Sequence, residues 1–300
     1  MLSRMTVKMP STPSISVVIP ARNAAATIRR ALQSVKDQTR PVDEIIVVDD
    51  ASSDGSAVSA LSFPKVRLVR LAEQRGAAAA RNAGIAAASG DWIAFLDADD
   101  VWLPEKIARQ AAVIGEGVSL IFCASREFAA DGTALGDTFR DRPVGDGARA
   151  WKDLLTRNFI ATPTVMAPRA LLTRLGFDER LTVGEDQDLW IRLALEGALV
   201  YVPETLAEVY VQPASLSRYR GADLSRQVLP MIRRHVARLR HRLSAREIRA
   251  IFAARYADAG HTALAHGDIL RALGFGMRAV AAGYRPSSWK SPALSPRQAG

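Results

Sequence analysis

The apolar positions of this chain follow two periods. Short β-branched runs occupy SISVVIP (14–20), EIIVVDD (44–50), VRLVRL (66–71), DWIAFLDADD (91–100) and VSLIFC (118–123). Between them lie stretches of helical spacing at 24–38, 54–62, 76–89 and 104–115. Gly and Pro punctuate the joints, at Pro41, Asp54-Gly55, Ser89-Gly90 and Pro104. Strand–helix alternation of this kind predicts an α/β fold, a Rossmann-like, mainly parallel sheet flanked by helices.

The pattern loosens after residue 123. Glycines and aspartates cluster at 131–147, which predicts a long loop or hairpin. Helices are expected at 150–157 and 168–175. GEDQDLWIRLALEG (184–197) reads as a helix burying one face through Leu189, Ile191 or Trp190, Leu193 and Leu195. Short strands at 198–202 and 206–211 follow. From about 221 to 283 Ala, Arg and Leu recur with helical spacing, predicting three or four helices separated near Gly260 or Gly267. Residues 1–13 and 286–300 read as flexible tails. The chain thus divides into an α/β domain at 14–220, with halves 14–123 and 124–220, and a helical appendage at 221–285.

Composition sharpens this picture in two places. The 300 residues are 48% hydrophobic and 24% charged, which excludes disorder throughout. A single cysteine, Cys123, excludes an intrachain disulfide and a Cys-rich zinc site, and fits a reducing, cytoplasmic setting. No run reaches the roughly 18 apolar residues of a membrane span. The opening MLSRMTVKMPSTP lacks the apolar stretch of a secretory signal. The net charge of +9 is uneven: residues 1–220 hold 26 Lys+Arg against 27 Asp+Glu, and residues 221–300 hold 14 against 4. A nucleic acid, an anionic membrane surface or an acidic partner would each suit that excess.

Two of the strand runs end in acids. EIIVVDD closes on Asp49 and Asp50, and DWIAFLDADD on Asp97, Asp99 and Asp100. Ligands of open α/β sheets bind beyond the carboxyl ends of the strands. In an extended segment Asp97 and Asp99 would point to one side, where their like charges need a cation or hydrogen-bond donors. Mg²⁺ and Mn²⁺ take such oxygen ligands and leave positions for nucleotide phosphates. The structural alternative is that Asp50, Asp54 and Asp100 cap helices or form Asx turns.

The segments SVVIPARN (16–23), EIIVVDDASSDGS (44–56), RGAAAARNAG (75–84), DWIAFLDADDVWLPEKI (91–107) and GEDQDLWIRL (184–193) together resemble, in order and spacing, the inverting glycosyltransferases of family 2. The resemblance spans roughly residues 14–212 and implies the GT-A fold, a nucleotide-sugar donor of the UDP-sugar type and a divalent metal, Mg²⁺ or Mn²⁺. It places Pro20, Ala21 and Arg22 beside the nucleobase and gives Asp50 the role of accepting a hydrogen bond from it. Asp97, with Ala98, would border the ribose or sugar, and Asp99 would ligate the metal that holds the diphosphate. The Arg75-Gly76 turn and Arg81-Asn82 would border the same pocket, with Arg81 meeting phosphate or forming a structural ion pair. Asp186 would be the general base that deprotonates the acceptor, favoured as an anion by the helix N-terminus, and Glu185 would help position the acceptor or the loop. Asp188 reads as a solvated or structural helix residue. One departure stands out: Gln212 or Pro213 occupies the place of a late family histidine, and Ser215 and Ser217 fit the following segment only loosely.

The implied activity is transfer of a sugar from a nucleotide-sugar to a saccharide or lipid-linked saccharide acceptor in bacterial surface-polysaccharide or glycolipid synthesis. A nucleotidyltransferase would want a Gly-rich, Lys-bearing phosphate loop, which SVVIPARN lacks. A nucleic-acid binder using the basic tail would want interleaved aromatics, so no nucleic acid is expected. GDGARA (145–150) and GFGMRA (274–279) do not follow convincing strands and carry no dinucleotide fingerprint. His235, His241, His261 and His266 lie in the helical tail, away from any acidic cluster in sequence. Cys123, Trp92 and Phe95 read as core, whereas Trp102 and Trp190 lie close enough to the expected site for Trp102 to be a candidate acceptor contact. A helix around 226–249 sets Arg226, Arg233, Arg234, Arg238, Arg240, Arg242, Arg246 and Arg249 against Leu229, Ile232, Val236, Leu239 and Leu243. Such a helix either packs on the catalytic domain or lies on an anionic bilayer, peripheral at the inner face of the membrane.

Overall fold

The structure, a computed structural model, describes residues 12–129, 131–138, 147–211 and 224–284. The first half alternates as expected: β1 (Ile15–Ala21), α1 (Ile28–Lys36), β2 (Glu44–Asp49), α2 (Ser56–Leu61), β3 (Val66–Arg70), α3 (Ala77–Ala87) and β4 (Trp92–Phe95). β1 lies between β2 and β4, β3 flanks β2, and all four run parallel. β1 is covered on both faces, so its apolar run is nearly unbroken. Ile15, Val17 and Ile19 join the cluster on one face of the sheet, and Val18 the cluster on the other.

The second half comprises β5 (Val101–Trp102), α4 (Lys106–Ala111), β6 (Val118–Ala129), β7 (Ala134–Thr138), α5 (Ala150–Thr156), β8 (Met166–Pro168), α6 (Arg169–Leu175), α7 (Glu185–Glu196) and β9 (Ala198–Val211). Among the described residues they complete a nine-stranded sheet of order β3-β2-β1-β4-β8-β6-β9-β5, with β7 hairpinned onto β6. β8 runs antiparallel to β4 and β6, which makes the sheet mixed. The two short strands expected at 198–211 are one long strand, whose pairing with β6 shifts register near Ala124.

α3 carries the site's central residue, and its composition explains how it sits. Its sequence is mostly Ala with Gly84 against the sheet, and a Cβ at Gly84 would come within 2.3 Å of a Val18 methyl. The helix therefore lies tight on β1, and Arg81 on it is only 5% exposed.

The appendage departs from expectation. The helix expected over 226–249 is two, α8 (Leu229–Arg238) and α9 (Ala245–Ala265). Ser244 caps α9: its hydroxyl accepts from the Glu247 N–H and the Glu247 carboxylate accepts from the Ser244 N–H. The break before α10 (Ile269–Ala281) falls at Gly267, whose φ of +77° suits glycine, while Gly260 lies inside α9. Leu229, Ile232, Val236, Leu239 and Leu243 are buried in the main core, with the arginines between them facing solvent. The apolar side of this segment is covered by protein, so it is not the side that would meet a bilayer. No helix of the described residues is long and apolar enough to cross a membrane. Residues 1–11 of the expected tail at 1–13, the expected tail at 286–300, and Gln212, Pro213, Ser215 and Ser217 lie outside the described residues.

Candidate active site

Because β1, β2 and β4 are parallel, their carboxyl ends share one edge of the sheet. The loops after β1 and β2 are laced together there. Arg22 donates to the carbonyls of Asp50 (2.6 Å) and Ala51 (2.7 Å). Asn23 N–H donates to the Ser52 hydroxyl at 3.0 Å, and Ser53 N–H donates to the Asn23 side chain at 2.9 Å. Asn23 and Ala51 have φ of +47° and +53°, a left-handed conformation that strains alanine and is held by this lacing. Pro20 is half-buried and Ala21 buried, and the Ala21 carbonyl accepts from the Asp50 N–H at 2.9 Å. Asp54 accepts from the N–H groups of Ala25 (3.0 Å) and Ser56 (2.9 Å), which makes it the turn former that the structural alternative expected.

The Asp50 carboxylate is buried and bound on both oxygens. It accepts from the N–H of Arg75 at 2.7 Å and of Gly76 at 2.9 Å. Asp50 thereby fixes the turn that opens α3. Its neighbour Asp49 accepts from the Ser52 N–H at 3.0 Å and lies 3.3 Å from the Arg70 guanidinium.

At the end of β4 the expected geometry changes. The strand stops at Phe95, so Asp97 and Asp99 are not in an extended segment. Residues Asp97–Asp100 instead form a turn closed by the Asp100 N–H on the Asp97 carbonyl at 3.1 Å. The Ala98 side chain is buried in the core. Asp100 is buried and accepts from the Tyr210 N–H at 2.8 Å. Arg30 donates to the Asp99 carbonyl at 2.7 Å and lies 3.8 Å from the Tyr210 ring centre. Burial, with Asp97 beside it, pushes the Asp99 carboxyl up to about 6. The same causes, burial first, push Asp100 well above the carboxylate range. Asp99 is the acid of this turn whose carboxylate has no hydrogen bond from another residue among those described.

Arg81 joins this turn to α7. Its guanidinium meets Asp97 at 2.9 Å and Glu185 at 3.0 Å. The ion-pair reading of Arg81 is therefore what the structure has. Its Nε is buried without a hydrogen-bond partner among the described residues. Gly184 precedes α7 with φ of +80°, and a Cβ there would lie 3.1 Å from a Val228 methyl, so the turn requires glycine twice over. Asp186 accepts from the Gln187 N–H at 2.6 Å and from the Asn158 amide at 2.9 Å. Burial, then the charge of Glu185, push its carboxyl up to about 7. This reverses the expectation that the helix end would favour the anion: desolvation and a like charge outweigh the dipole. A carboxyl near 7 is suited to accept a proton.

Other expectations also move. Asp188 is structural rather than solvated: it is buried, pairs with Arg192 at 2.7 Å and meets His235 at 2.8 Å. His235 is thus brought to an acid that lies 47 positions away in sequence. Trp102 is 2% exposed and donates to the Pro163 carbonyl at 2.8 Å, so it is core and not an acceptor contact. Trp190, Trp92 and Phe95 are core, and Cys123 is buried with its thiol pushed up to about 11 by burial. Asn82 pins the loop before α7, accepting from the Phe177 N–H at 2.8 Å and donating to Glu179 at 2.9 Å. Asn158 and Arg30 are residues that sequence reasoning missed, with no spacing signal to mark them, and Asn23 lay within SVVIPARN without being given a role. Among the described residues no three His, Cys, Asp or Glu side chains converge as a ready-made metal cage.

Comparison with known proteins fits this arrangement. The family model described as "Glycosyl transferase family 2" matches residues 16–168. The chain is 31% identical over 224 residues to the amylovoran biosynthesis glycosyltransferase AmsB of Erwinia amylovora, covering 70% of this chain and 74% of that one. It is 30% identical over 217 residues to the UDP-Glc:alpha-D-GlcNAc-diphosphoundecaprenol beta-1,3-glucosyltransferase WfgD of Escherichia coli, covering 71% and 83%. Its fold matches S. aureus TarS residues 1-349 in complex with UDP-GlcNAc, with TM-score 0.59 and 16% identity over 90% of this chain and 93% of that chain. It also matches the mannosyltransferase PcManGT of Pyrobaculum calidifontis in complex with GDP-Man and Mn2+, with TM-score 0.55 and 21% identity over 93% and 83%. On the extent of the family match and the identity to these relatives, the chain belongs to glycosyl transferase family 2 and is a glycosyltransferase of the GT-A fold.

Proposed function

We propose that the chain transfers a sugar, with inversion, from a UDP-sugar to a hydroxyl of a saccharide or lipid-linked saccharide in the synthesis of a bacterial surface polysaccharide or glycolipid. The observation that carries this is Asp186, a carboxyl near 7 at the head of α7, linked through Glu185 and Arg81 to Asp97 at the strand-end turn. Relatives that use a UDP-linked donor or make bacterial polysaccharide support the donor and the acceptor class.

Asp186 accepts the proton of the acceptor hydroxyl. The freed oxygen forms a bond to the anomeric carbon from the face opposite the phosphate. The carbon–phosphate oxygen bond breaks, and its electron pair leaves with the nucleoside diphosphate. Asn158 holds the Asp186 carboxylate in place. Arg81 fixes Asp97 and Glu185 relative to each other, so donor and acceptor sides keep one geometry. The laced loops carrying Pro20, Ala21, Arg22 and Asp50 border the nucleotide.

The acids at the β4 turn fit a divalent cation. Asp99 is raised by burial and by Asp97, a cost that a cation offsets, and its carboxylate is free among the described residues to ligate one. Mg²⁺ or Mn²⁺ held by Asp99 would supply charge to stabilise the departing diphosphate.

The test is transfer and hydrolysis over a panel of UDP-sugars with Mn²⁺ or with EDTA, with the product anomer read by NMR. Turnover that depends on the metal, gives the inverted anomer and falls about 10²–10⁴-fold in Asp186→Asn is expected. Full turnover by Asp186→Asn, or a retained anomer, would overturn the assignment.

A further inference from the structure

Nine large apolar side chains are exposed among the described residues, and six of them are Leu264, Ile269, Leu270, Leu273, Met277 and Val280. α10 is seated on α9 by Phe275, which stacks on Tyr256, and by Ala279. On its other side Leu270, Leu273, Met277 and Val280 recur at spacings of three and four, one continuous stripe. Leu270 is 85% exposed and Met277 70%. A shallow apolar groove of about 520 Å³ runs along this stripe past Gly276. A Cβ at Gly274 or Gly276 would meet nothing, so packing within the described chain does not call for either glycine. Exposed apolar surface of this extent marks an interaction site.

The charge around the stripe selects the occupant. Arg271 and Arg278 are exposed on α10, and the one acid at its head, Asp268, is paired with Arg271 at 3.2 Å. The sequence after residue 284 adds Arg285, Lys290, Arg297 and Trp289 and no acid. A second copy of this face would set these cations against each other, whereas an anionic surface would complement them. Basic residues beside an apolar helical stripe suit the plane of an anionic bilayer, and tryptophan favours that interface.

We propose that α10 is a membrane-docking face, its stripe set in the acyl boundary of an anionic bilayer and its arginines at the headgroups. The membrane role thus sits on the last helix and not on the arginine-rich α8 segment, whose apolar side is buried in the core. The proposal stands without knowledge of the donor or the acceptor.

The test is co-sedimentation of the full chain with phosphatidylglycerol vesicles and with phosphatidylcholine vesicles. Binding to phosphatidylglycerol at least about tenfold above phosphatidylcholine is expected. The Leu270→Glu/Met277→Glu variant, altered only at exposed positions, should lose that binding while keeping its circular dichroism and its hydrolysis of a soluble donor. Arg271→Gln and Arg278→Gln should each weaken it about fivefold. Equal binding by wild type and the double variant, or no binding by wild type, would overturn the proposal. So would a dimer in light scattering that Leu270→Glu/Met277→Glu dissociates, since the face would then belong to a second copy.

Discussion

Asp50 and Asp186 invite comparison. Each is the second member of an acidic pair, one after a strand and one at the head of a helix, and neither is fully exposed. Asp50 has a backbone N–H on each carboxylate oxygen, from Arg75 and Gly76. Asp186 has the Asn158 amide and one N–H, but also the charge of Glu185 beside it. Backbone donors turn Asp50 into scaffold. Asp186 is left where its proton is lost near neutral pH. Arg81 pairs directly with Asp97 and Glu185, and its charge only partly offsets the burial and the like charge that raise Asp186.

The strongest way to break this contrast is to remove Arg81. Arg81→Met leaves Asp97 and Glu185 without their cation in a mostly dry site. A loss of about 3 kcal/mol in unfolding free energy at pH 7 is expected, at the low end for a broken buried pair because Asp97 is partly exposed. Urea denaturation reads this. A deficit below about 1 kcal/mol would mean that Arg81 is not the shared counter-ion.

Asp50→Asn tests the scaffold half of the comparison. The amide nitrogen cannot accept, so one of the two N–H groups of the Arg75–Gly76 turn loses its partner. The expected cost is about 1–3 kcal/mol, seen as a lower Tm, with a raised KM for the donor as the turn loosens. A variant of unchanged Tm and KM would show that the turn does not need this carboxylate.

The sequence carries the parallel half of the sheet openly, because strands buried on both faces must be apolar throughout and the joints need Gly and Pro. It carries the acids at 49–50, 97–100 and 185–186 for a similar reason: clustered carboxylates at the end of a strand or the head of a helix need donors or cations to hold them. What it hides is partnership across distance. Arg81 looks like any helix arginine until Gly84 lets α3 close on β1. Asp188 reads as either solvated or structural until His235 arrives from α8. The basic amphipathic pattern at 226–249 is real, but periodicity does not say whether protein or lipid covers the apolar side. Trp102 sits three residues beyond Asp99 and still belongs to the core, because the turn after β4 reverses the chain toward β9.

Asn158 gives the finest test of how Asp186 is poised. Its amide hydrogen bond favours the carboxylate over the carboxylic acid, opposing burial and Glu185. A general base works only when deprotonated, so kcat/KM should rise with pH through an apparent value near 7 in the wild type. Asn158→Ala removes a stabiliser of the anion, so protonation persists to higher pH and the rising limb moves upward by about one pH unit. The two enzymes should then differ about tenfold below the limb and converge above pH 9. A uniform drop at every pH would assign Asn158 to packing. A limb moved to lower pH would mean that the amide favours the neutral acid, and the poise of Asp186 would need another source.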